Sequence, residues 1–151
     1  MSLVEHECAF TIPCNPPKAT HQASARIMKR KDGTMFVGKS SSSKGKAVKD
    51  SLTLLLNGHR PPAMFVGPVD VYILWVYPWR SNEPKKNRVL GLLPCDKRPD
   101  IDNLCKMLFD VMTLIGFWKD DSQISDLLFR KRWGNDPGIR MKITGMIERT
   151  V

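Results

Sequence analysis

The segment Val69–Tyr77 constrains the fold more than any other part of the sequence. Asp70 alone interrupts a run of apolar, β-branched and aromatic residues there. Residues of these types favour a strand with neighbours on both sides. We therefore expect Val69–Tyr77 to form a central strand of a sheet, with the rest of the chain arranged around it.

Before this strand, turn-forming residues divide the chain into short elements. A strand is predicted over Ala9–Ile12, where Pro13 ends it. Residues 18–34 are polar and basic and close on an Asp32-Gly33 turn, which is followed by a second short strand over 34–37. The first half of the chain thus supplies two short strands and one basic segment.

Two helices are predicted from the spacing of apolar residues. The first covers Ala47–Leu56 and stops at Asn57-Gly58, and the second covers Asn103–Ile115 with Gly116 at its C-terminus. Their core-facing residues are Val48, Leu52 and Leu55 in the first helix, and Leu104, Leu108, Val111 and Ile115 in the second.

The second half closes with strands over Ile124–Trp133 and Ile139–Ile147, joined as a hairpin by a turn over 134–138. Residues 78–98 are rich in Pro, Asn and Lys and are expected to form a long exposed loop. The element order ββ-α-β-α-ββ predicts an α+β fold with a mixed sheet and two main helices. Residues 1–151 are expected to form a single domain.

The net charge of +9 is concentrated in two segments. Residues 18–49 hold nine basic residues against one acid, and residues 78–98 hold six against two. Residues 1–17 and 50–77 are slightly acidic, and residues 99–151 are balanced. Concentrated positive charge favours a polyanionic partner, because each neutralised phosphate releases counterions. A merely solvated basic surface would have the same composition.

The cysteines and histidines do not form a metal-binding or nucleophilic motif. Cys8, Cys14, Cys95 and Cys105 include no C-x-x-C pair, and the three histidines lack the spacing of zinc ligands. We expect reduced, structural thiols. No apolar run approaches the roughly 20 residues of a membrane helix, and the N-terminus lacks signal-peptide character, so the cytoplasm is the expected location.

The acids of Pro99-Asp100-Ile101-Asp102 are the first candidate site. If Pro99 keeps the chain extended, Asp100 and Asp102 project to the same side, and Asp102 serves as N-cap of the following helix. The positive end of a helix lowers the cost of holding two carboxylates together. Mg²⁺ suits such a pair, although an ordinary helix cap explains the same residues.

A third carboxylate is available from Asp120 or Asp121. The helix is roughly 20 Å long, and the extended chain after it can return an aspartate nearly to the level of Asp102. An ordinary turn also explains the Asp-Asp pair. Lys106 has the spacing of a salt-bridge ladder with Asp102 and Asp110. Phe117 and Trp118 could stack on bases or pack in the core.

Together these residues match a known family pattern. Residues 97–123 closely resemble the signature of the RusA family of Holliday-junction resolvases, which runs Pro-Asp-x-Asp-Asn-Leu-x-Lys, a helix, and Asp-Asp-Ser/Ala-Gln. The length between the two acidic halves also matches. Downstream, Lys131–Gly134 and the strand over 139–147 look like the family's closing hairpin. Upstream, only Thr11-Ile12-Pro13, Pro16-Pro17-Lys18 and Arg26 are loosely similar.

The resemblance implies a homodimeric, Mg²⁺-dependent nuclease that nicks opposed strands of a four-way DNA junction. By position, the family's essential aspartates correspond to Asp100, Asp102 and Asp121, which would bind Mg²⁺ or its substitute Mn²⁺. The essential lysine corresponds to Lys106, and Asp120 matches a less certain acid. Two segments depart from the pattern, namely 78–96, which includes Trp79, and the basic arm over 26–46.

The resulting hypothesis is a junction-resolving endonuclease of DNA recombination and repair, with a phage or prophage role implied by the family alone. Two alternatives stay open, a non-catalytic basic DNA-binding module and a nuclease for flaps, forks or RNA. The basic residues expected to contact DNA are Lys18, Arg26, Lys29, Arg30, Lys85, Lys86, Arg88, Lys97, Arg98 and Lys131.

Overall fold

The computed structural model describes residues 2–19, 24–40 and 43–149. The described chain has the predicted α+β fold, with a mixed five-stranded sheet and a separate two-stranded sheet. The strands are β1 (Ser2–Pro13), β2 (Ser24–Lys29), β3 (Met35–Ser40), β4 (Phe65–Pro78), β5 (Leu92–Pro94), β6 (Ile124–Gly134) and β7 (Gly138–Arg149). The helices are α1 (Ser43–Asn57), the single turn α2 (Lys85–Arg88), α3 (Ile101–Ile115) and a 3-10 helix at Asp121–Gln123.

Strand β4 lies at the centre of the larger sheet, whose order is β1-β7-β4-β6-β5. It runs antiparallel to β7 and parallel to β6. Val71, Ile73 and Trp75 are fully buried against the helices, in the same core as Leu52 of α1 and Leu104 of α3. The central strand predicted over 69–77 is confirmed. We call the face of the sheet that carries the helices the helix face, and the opposite one the open face.

The predicted closing hairpin is wrong. Although β6 and β7 are consecutive in the chain, β4 lies between them in the sheet. The physical reason is that β4 has the most apolar sequence and gains most from neighbours on both edges. The residues between the two strands therefore cross from one side of β4 to the other instead of forming a tight turn.

Strand β1 is longer than the four residues expected. It pairs with β7 along its whole length, from Ser2 opposite Arg149 to Pro13 opposite Gly138. A side chain at Gly138 would bring its Cβ to 2.5 Å from the carbonyl oxygen of Ile12. Glycine thus permits the close approach of the two strands at this end.

Helices α1 and α3 each begin before their predicted first residue, at Ser43 and Ile101. The predicted core stripes are confirmed, since Leu52, Leu104, Leu108 and Val111 are fully buried and the remaining members pack around them. Gly116 ends α3 with φ of 94°, and its N–H donates to the carbonyl oxygens of Met112 and Thr113.

The predicted loop over 78–98 is structured. Glu83 is only 7% exposed and accepts hydrogen bonds from Arg80 and from Asn87, at 2.8 and 2.7 Å between the closest atoms. Arg80 also lies over the ring of Trp133, 4.1 Å from its centroid. These contacts of Glu83 and Arg80 hold α2 and β5 against the end of β6. The sequence pattern missed it because the anchoring residues are individually typical of loops.

The remaining expectations about the fold mostly hold. The Asp32-Gly33 turn is confirmed, and it joins β2 to β3, a strand pair of which only the second member was expected. Phe117 and Trp118 are fully buried core residues. All four cysteines are free thiols. Among the described residues, no helix has the length and apolar character needed to cross a membrane.

Candidate active site

Asp100 and Asp102 lie at the start of α3, but not in the way expected. Asp100 is the N-cap, in an extended conformation, and its carbonyl oxygen accepts a hydrogen bond from the N–H of Leu104. Asp102 is already in the first helical turn, so the prediction that it caps the helix is wrong. Asp100 makes no side-chain capping hydrogen bond. Both carboxylates are exposed at the positive end of the helix.

Lys131 holds the backbone that leads into these acids. Its side chain on β6 is buried, with 7% of the residue exposed. The ammonium donates hydrogen bonds to the carbonyl oxygen of Lys97 and, at 2.7 Å, to that of Pro99. The prediction that Lys131 contacts DNA is not supported by this geometry. The ammonium instead lies inside the protein, where its hydrogen bond fixes Pro99, the residue directly before Asp100.

Lys106 and Asp110 continue the same face of α3. They follow Asp102 at steps of four residues, and all three side chains are exposed. Residues four apart lie one above another on a helix. Lys106 is therefore one turn from Asp102, and it presents a cation next to the acids at the helix start.

Asp120 and Asp121 lie in a turn that Gln123 anchors to the start of β4. Asp120 accepts a hydrogen bond from the N–H of Ser122 at 2.9 Å. The side-chain oxygen of Gln123 accepts from the N–H groups of Lys119 and Asp120, at 3.0 and 3.2 Å. Its nitrogen donates to the carbonyl oxygens of Phe65 and Gly67, at 3.1 and 3.0 Å. One side chain thus fixes the turn on both sides.

The two acids of this turn have opposite pKa shifts. Hydrogen bonds from Ser122 hold the pKa of Asp120 below its ordinary value. Partial burial raises the pKa of Asp121, and the hydrogen-bonded Asp120 and the charges of Asp120 and Asp110 raise it further. Asp121 therefore retains its proton more readily than an ordinary aspartate, because burial and the neighbouring carboxylates both disfavour its charged form.

Asp121 lies beside the second half of α3, whereas the reach of the chain predicts a position near the level of Asp102. Its acidic neighbours are Asp120 and Asp110, and the three line an open cleft of about 320 Å³ together with Lys49. Asp110 is about 12 Å further along the helix than Asp102 at 1.5 Å per residue. Within the described residues, no three acids, cysteines or histidines are close enough to form a metal site.

The available ligands nevertheless suit Mg²⁺. This ion takes one or two protein carboxylates and completes its shell with water and phosphate oxygens. Asp100 and Asp102 offer exposed oxygen ligands at the helix start. A divalent cation nearby would also oppose the effects of burial and of the neighbouring acids, which together raise the pKa of Asp121.

The other cations predicted to meet DNA differ in how accessible they are. Lys18, Lys29, Arg30, Lys85, Lys86, Lys97 and Arg98 are exposed. Arg88 is half-buried and donates hydrogen bonds to the carbonyl oxygens of Arg80 and Glu83. The structure does not describe the side chain of Arg26. Lys97 and Arg98 precede Asp100 with only Pro99 between, so they are the nearest of these exposed cations to the acids along the chain.

Sequence reasoning also missed a basic row on the open face. Four cations lie on this face, namely Arg130 and Arg132 of β6 and Arg140 and Lys142 of β7. Their register partners in β4 are on the same face, and these are Tyr72, Leu74 and Val76. The balanced charge of residues 99–151 concealed it. The alternate spacing of the cations in each strand was the available signal, since residues two apart share a face.

Exposed carboxylates can bind a divalent cation, and the adjacent lysine and flanking cations can contact phosphate groups. The family model of the endodeoxyribonuclease RusA matches residues 15–144. The chain therefore belongs to the RusA endodeoxyribonuclease family. The match extends far beyond the acidic motif, across β4 and into β7.

Individual relatives agree with this assignment. The chain is 30% identical over 105 residues to an uncharacterised Bacillus subtilis protein, YqaN. This alignment covers 66% of the present chain and 73% of YqaN. It is 46% identical over 43 residues to the crossover junction endodeoxyribonuclease RusA of Escherichia coli K12. The corresponding protein of Enterobacteria phage 82 has the same identity over the same length. Each of these two matches spans 28% of this chain and 36% of the relative.

Proposed function

We propose that this protein is a Mg²⁺-dependent endodeoxyribonuclease that resolves four-way DNA junctions by paired, symmetric nicks in recombination and repair. The observation that carries the proposal is the pair of exposed carboxylates, Asp100 and Asp102, at the start of α3 in a chain of the RusA family. The names of the Escherichia coli and phage relatives support the junction as substrate.

The residues have distinct tasks in this proposal. Asp100 and Asp102 would hold the cation, with Mn²⁺ as a substitute for Mg²⁺, and Asp121, the third predicted ligand, would join them only if the Asp120-Asp121 turn moves toward the start of α3. When bound, the cation lowers the pKa of the attacking water and stabilises charge on the phosphate. Lys106, one turn inside α3, offsets negative charge that develops on the phosphate during cleavage. Lys131 keeps the Asp100 backbone in place without contacting DNA.

DNA binding is assigned to the exposed cations. Lys97 and Arg98 would contact the phosphates next to the cleaved bond, and Lys85 and Lys86 those further away. Contacts to phosphate position the DNA without reading its sequence. Lys18, Arg26, Lys29 and Arg30 would hold an outer part of a junction arm. A homodimer would present one site to each of two opposed strands.

The substrate is tested by offering three DNAs of equal length and end label, namely a four-way junction, a fork and a linear duplex, in Mg²⁺ at fixed salt. We expect cleavage of the junction alone, and its loss in Asp102→Asn. Asp136→Asn is the matched control, because Asp136 is an exposed aspartate between β6 and β7. Equal cleavage of all three DNAs would instead identify a nuclease for general or other branched DNA.

The second candidate is a non-catalytic DNA-binding module of the same fold. It is favoured by the absence, among the described residues, of three acids close enough to hold a metal. The clustered acids oppose it, because without a cation they repel DNA. A wild-type protein that binds the junction tightly and never cuts it in Mg²⁺ or Mn²⁺ would establish this candidate.

A further inference from the structure

Segment 78–96, which departs from the family pattern, carries a small apolar patch on its surface. Val89 and Leu90 follow α2 directly and are 84% and 66% exposed, and Leu92 is 45% exposed. Val89 is the most exposed large apolar residue among those that the structure describes. Single exposed apolar residues are ordinary, whereas a patch of them marks a place where another molecule binds. We call Val89 and Leu90 the apolar tip.

The backbone of the apolar tip is fixed on both sides. The N–H of Val89 donates to the carbonyl oxygen of Lys85 at 3.1 Å, and the carbonyl oxygen of Gly91 accepts from the N–H of Asn135 at 3.2 Å. The hydrogen bonds of the buried Glu83 hold the preceding residues. A loop that is already ordered loses little further conformational entropy when it binds a partner. The fold thus presents these apolar side chains in one position.

The charge around the apolar tip indicates what kind of partner it binds. Glu83 is the only acid of residues 78–95, and it is buried and paired with Arg80 at 2.8 Å. Lys85 and Lys86 of α2 are exposed. The exposed charges of these residues are therefore all positive. Nucleic acid suits a surface that is both cationic and apolar, because its backbone carries phosphates and its bases have apolar faces.

The chain between the apolar tip and the acids of α3 follows β6. Strand β5 pairs with the end of β6, as far as Gly134, and the N–H of Cys95 donates to the carbonyl oxygen of Lys131. The ammonium of Lys131 in turn holds the carbonyl oxygen of Pro99, next to Asp100. The step from Gly134 back to Lys131 is about 10 Å at roughly 3.3 Å per residue. This length corresponds to about three nucleotide steps of a DNA strand.

We propose that the apolar tip inserts at the branch point of a DNA junction and packs Val89 and Leu90 against base faces there, with Lys85 and Lys86 on the adjoining phosphates. This inference rests on the proposed function, because it takes the junction as the substrate. Apolar side chains that enter DNA must unstack a base step, and the cost is lowest where stacking is already interrupted. The apolar tip thus favours branched over linear DNA, whereas the acids of α3 serve the cleavage.

The test measures binding of the full chain to a four-way junction and to a linear duplex of equal length, in Ca²⁺ at fixed salt. The double variant Val89→Ser, Leu90→Ser removes the apolar contact and leaves the cations. Its dissociation constant for the junction should rise about tenfold, whereas that for the duplex should stay within about twofold of wild type. 2-Aminopurine at the branch point fluoresces more strongly when it is unstacked, so it should respond to wild type and not to this variant.

Two further variants separate the apolar tip from its surroundings. Leu54→Ser is the matched control, because Leu54 is 81% exposed but lies on α1, and it should bind both DNAs as wild type does. The double variant Lys85→Ala, Lys86→Ala should weaken binding to both DNAs alike and make it less dependent on salt, since phosphate contacts do not read the structure of the branch point. At saturating protein it should still give the 2-aminopurine signal.

Three results would overturn the insertion of the apolar tip while leaving the proposed function intact. They are a serine variant that keeps the wild-type preference for the junction, one that weakens binding to both DNAs equally, and one whose sedimentation without DNA shows that another copy of the chain had covered the tip. If circular dichroism shows that the serine variant is misfolded, Leu90→Ala alone decides. Wild-type protein that binds the two DNAs equally and nicks neither would contradict the proposed function itself, so the two failures are distinguishable.

Discussion

The two acidic segments of the candidate site are held in different ways. Before Asp100, the buried ammonium of Lys131 binds the carbonyl oxygens of Lys97 and Pro99, and the carboxylates themselves stay exposed. In the other segment, Gln123 fixes the turn, and Asp120 and Asp121 interact with each other. In the first segment only the backbone is held, so its two acids remain available to a ligand. In the second segment the protonation of Asp121 depends on that of Asp120.

The largest effect is expected at the exposed acids of α3. Asp102→Asn keeps the shape of the side chain but removes the charge that a cation requires, so nicking should fall about a thousandfold, a loss of several kcal/mol in transition-state stabilisation. Junction binding in Ca²⁺ should persist. Initial rates on labelled junctions measure the effect, with Asp136→Asn as the control expected within about twofold of wild type. A rate close to wild type in Asp102→Asn would remove this segment from the site.

A smaller loss is expected when the support of the first segment is removed. Lys131→Met keeps the length of the side chain but leaves the carbonyl oxygens of Lys97 and Pro99 without their donor. Residues that orient metal ligands typically contribute 10- to 100-fold, so we expect about that reduction in kcat. Junction affinity should not change, because the ammonium is buried. Weaker binding with intact kcat would show instead that Lys131 contacts DNA.

The acids of both segments and Lys106 could be predicted from the sequence because they belong to local patterns of turn and helix. The residues that position them could not. Lys131 reaches a backbone more than thirty residues away, and Gln123 reaches one more than fifty away, so their partners depend on the strand order. The predicted hairpin of β6 and β7 was wrong for the same reason, since only the sheet shows that β4 separates them. Leu104, Leu108 and Val111 were predictable because helix periodicity alone identifies a core face.

A still smaller loss is expected when the side chain that anchors the second segment, Gln123, is removed. Gln123→Ala removes four hydrogen bonds that connect the Asp120-Asp121 turn to itself and to β4. We expect about a tenfold lower nicking rate and a loss of about 2 kcal/mol in the free energy of unfolding in urea. Ser125→Ala, next to the same turn, is the control. A rate equal to wild type would show that the position of Asp121 has no role in cleavage.

The smallest effect is a change in titration without any loss of fold. In metal-free protein, carboxyl NMR should show Asp121 titrating above, and Asp120 below, the ordinary pKa of aspartate. The raised pKa of Asp121 stabilises the fold at low pH, and this contribution is lost as pH rises through the folded-state pKa. The lowered pKa of Asp120 has the opposite effect, and its contribution is lost as pH falls.

Replacing Asp120 by asparagine tests the coupling within the second segment directly. Without its charged neighbour, Asp121 should titrate at a lower pH, closer to an ordinary aspartate. Asp110→Asn should move it in the same direction, because Asp110 also contributes to the raised pKa. If neither substitution moves the titration of Asp121, burial alone raises its pKa and the two acids are independent.

The most direct test of the central claim is cleavage of a supercoiled plasmid that extrudes a cruciform, with Mg²⁺ and with EDTA. Two nicks made in opposed strands during one binding event convert the circle to a linear product, whereas single nicks give an open circle. We expect linear product in Mg²⁺, none in EDTA, and recovery when Mg²⁺ is restored. Wild-type protein that binds the cruciform and leaves it intact in both Mg²⁺ and Mn²⁺ would contradict it.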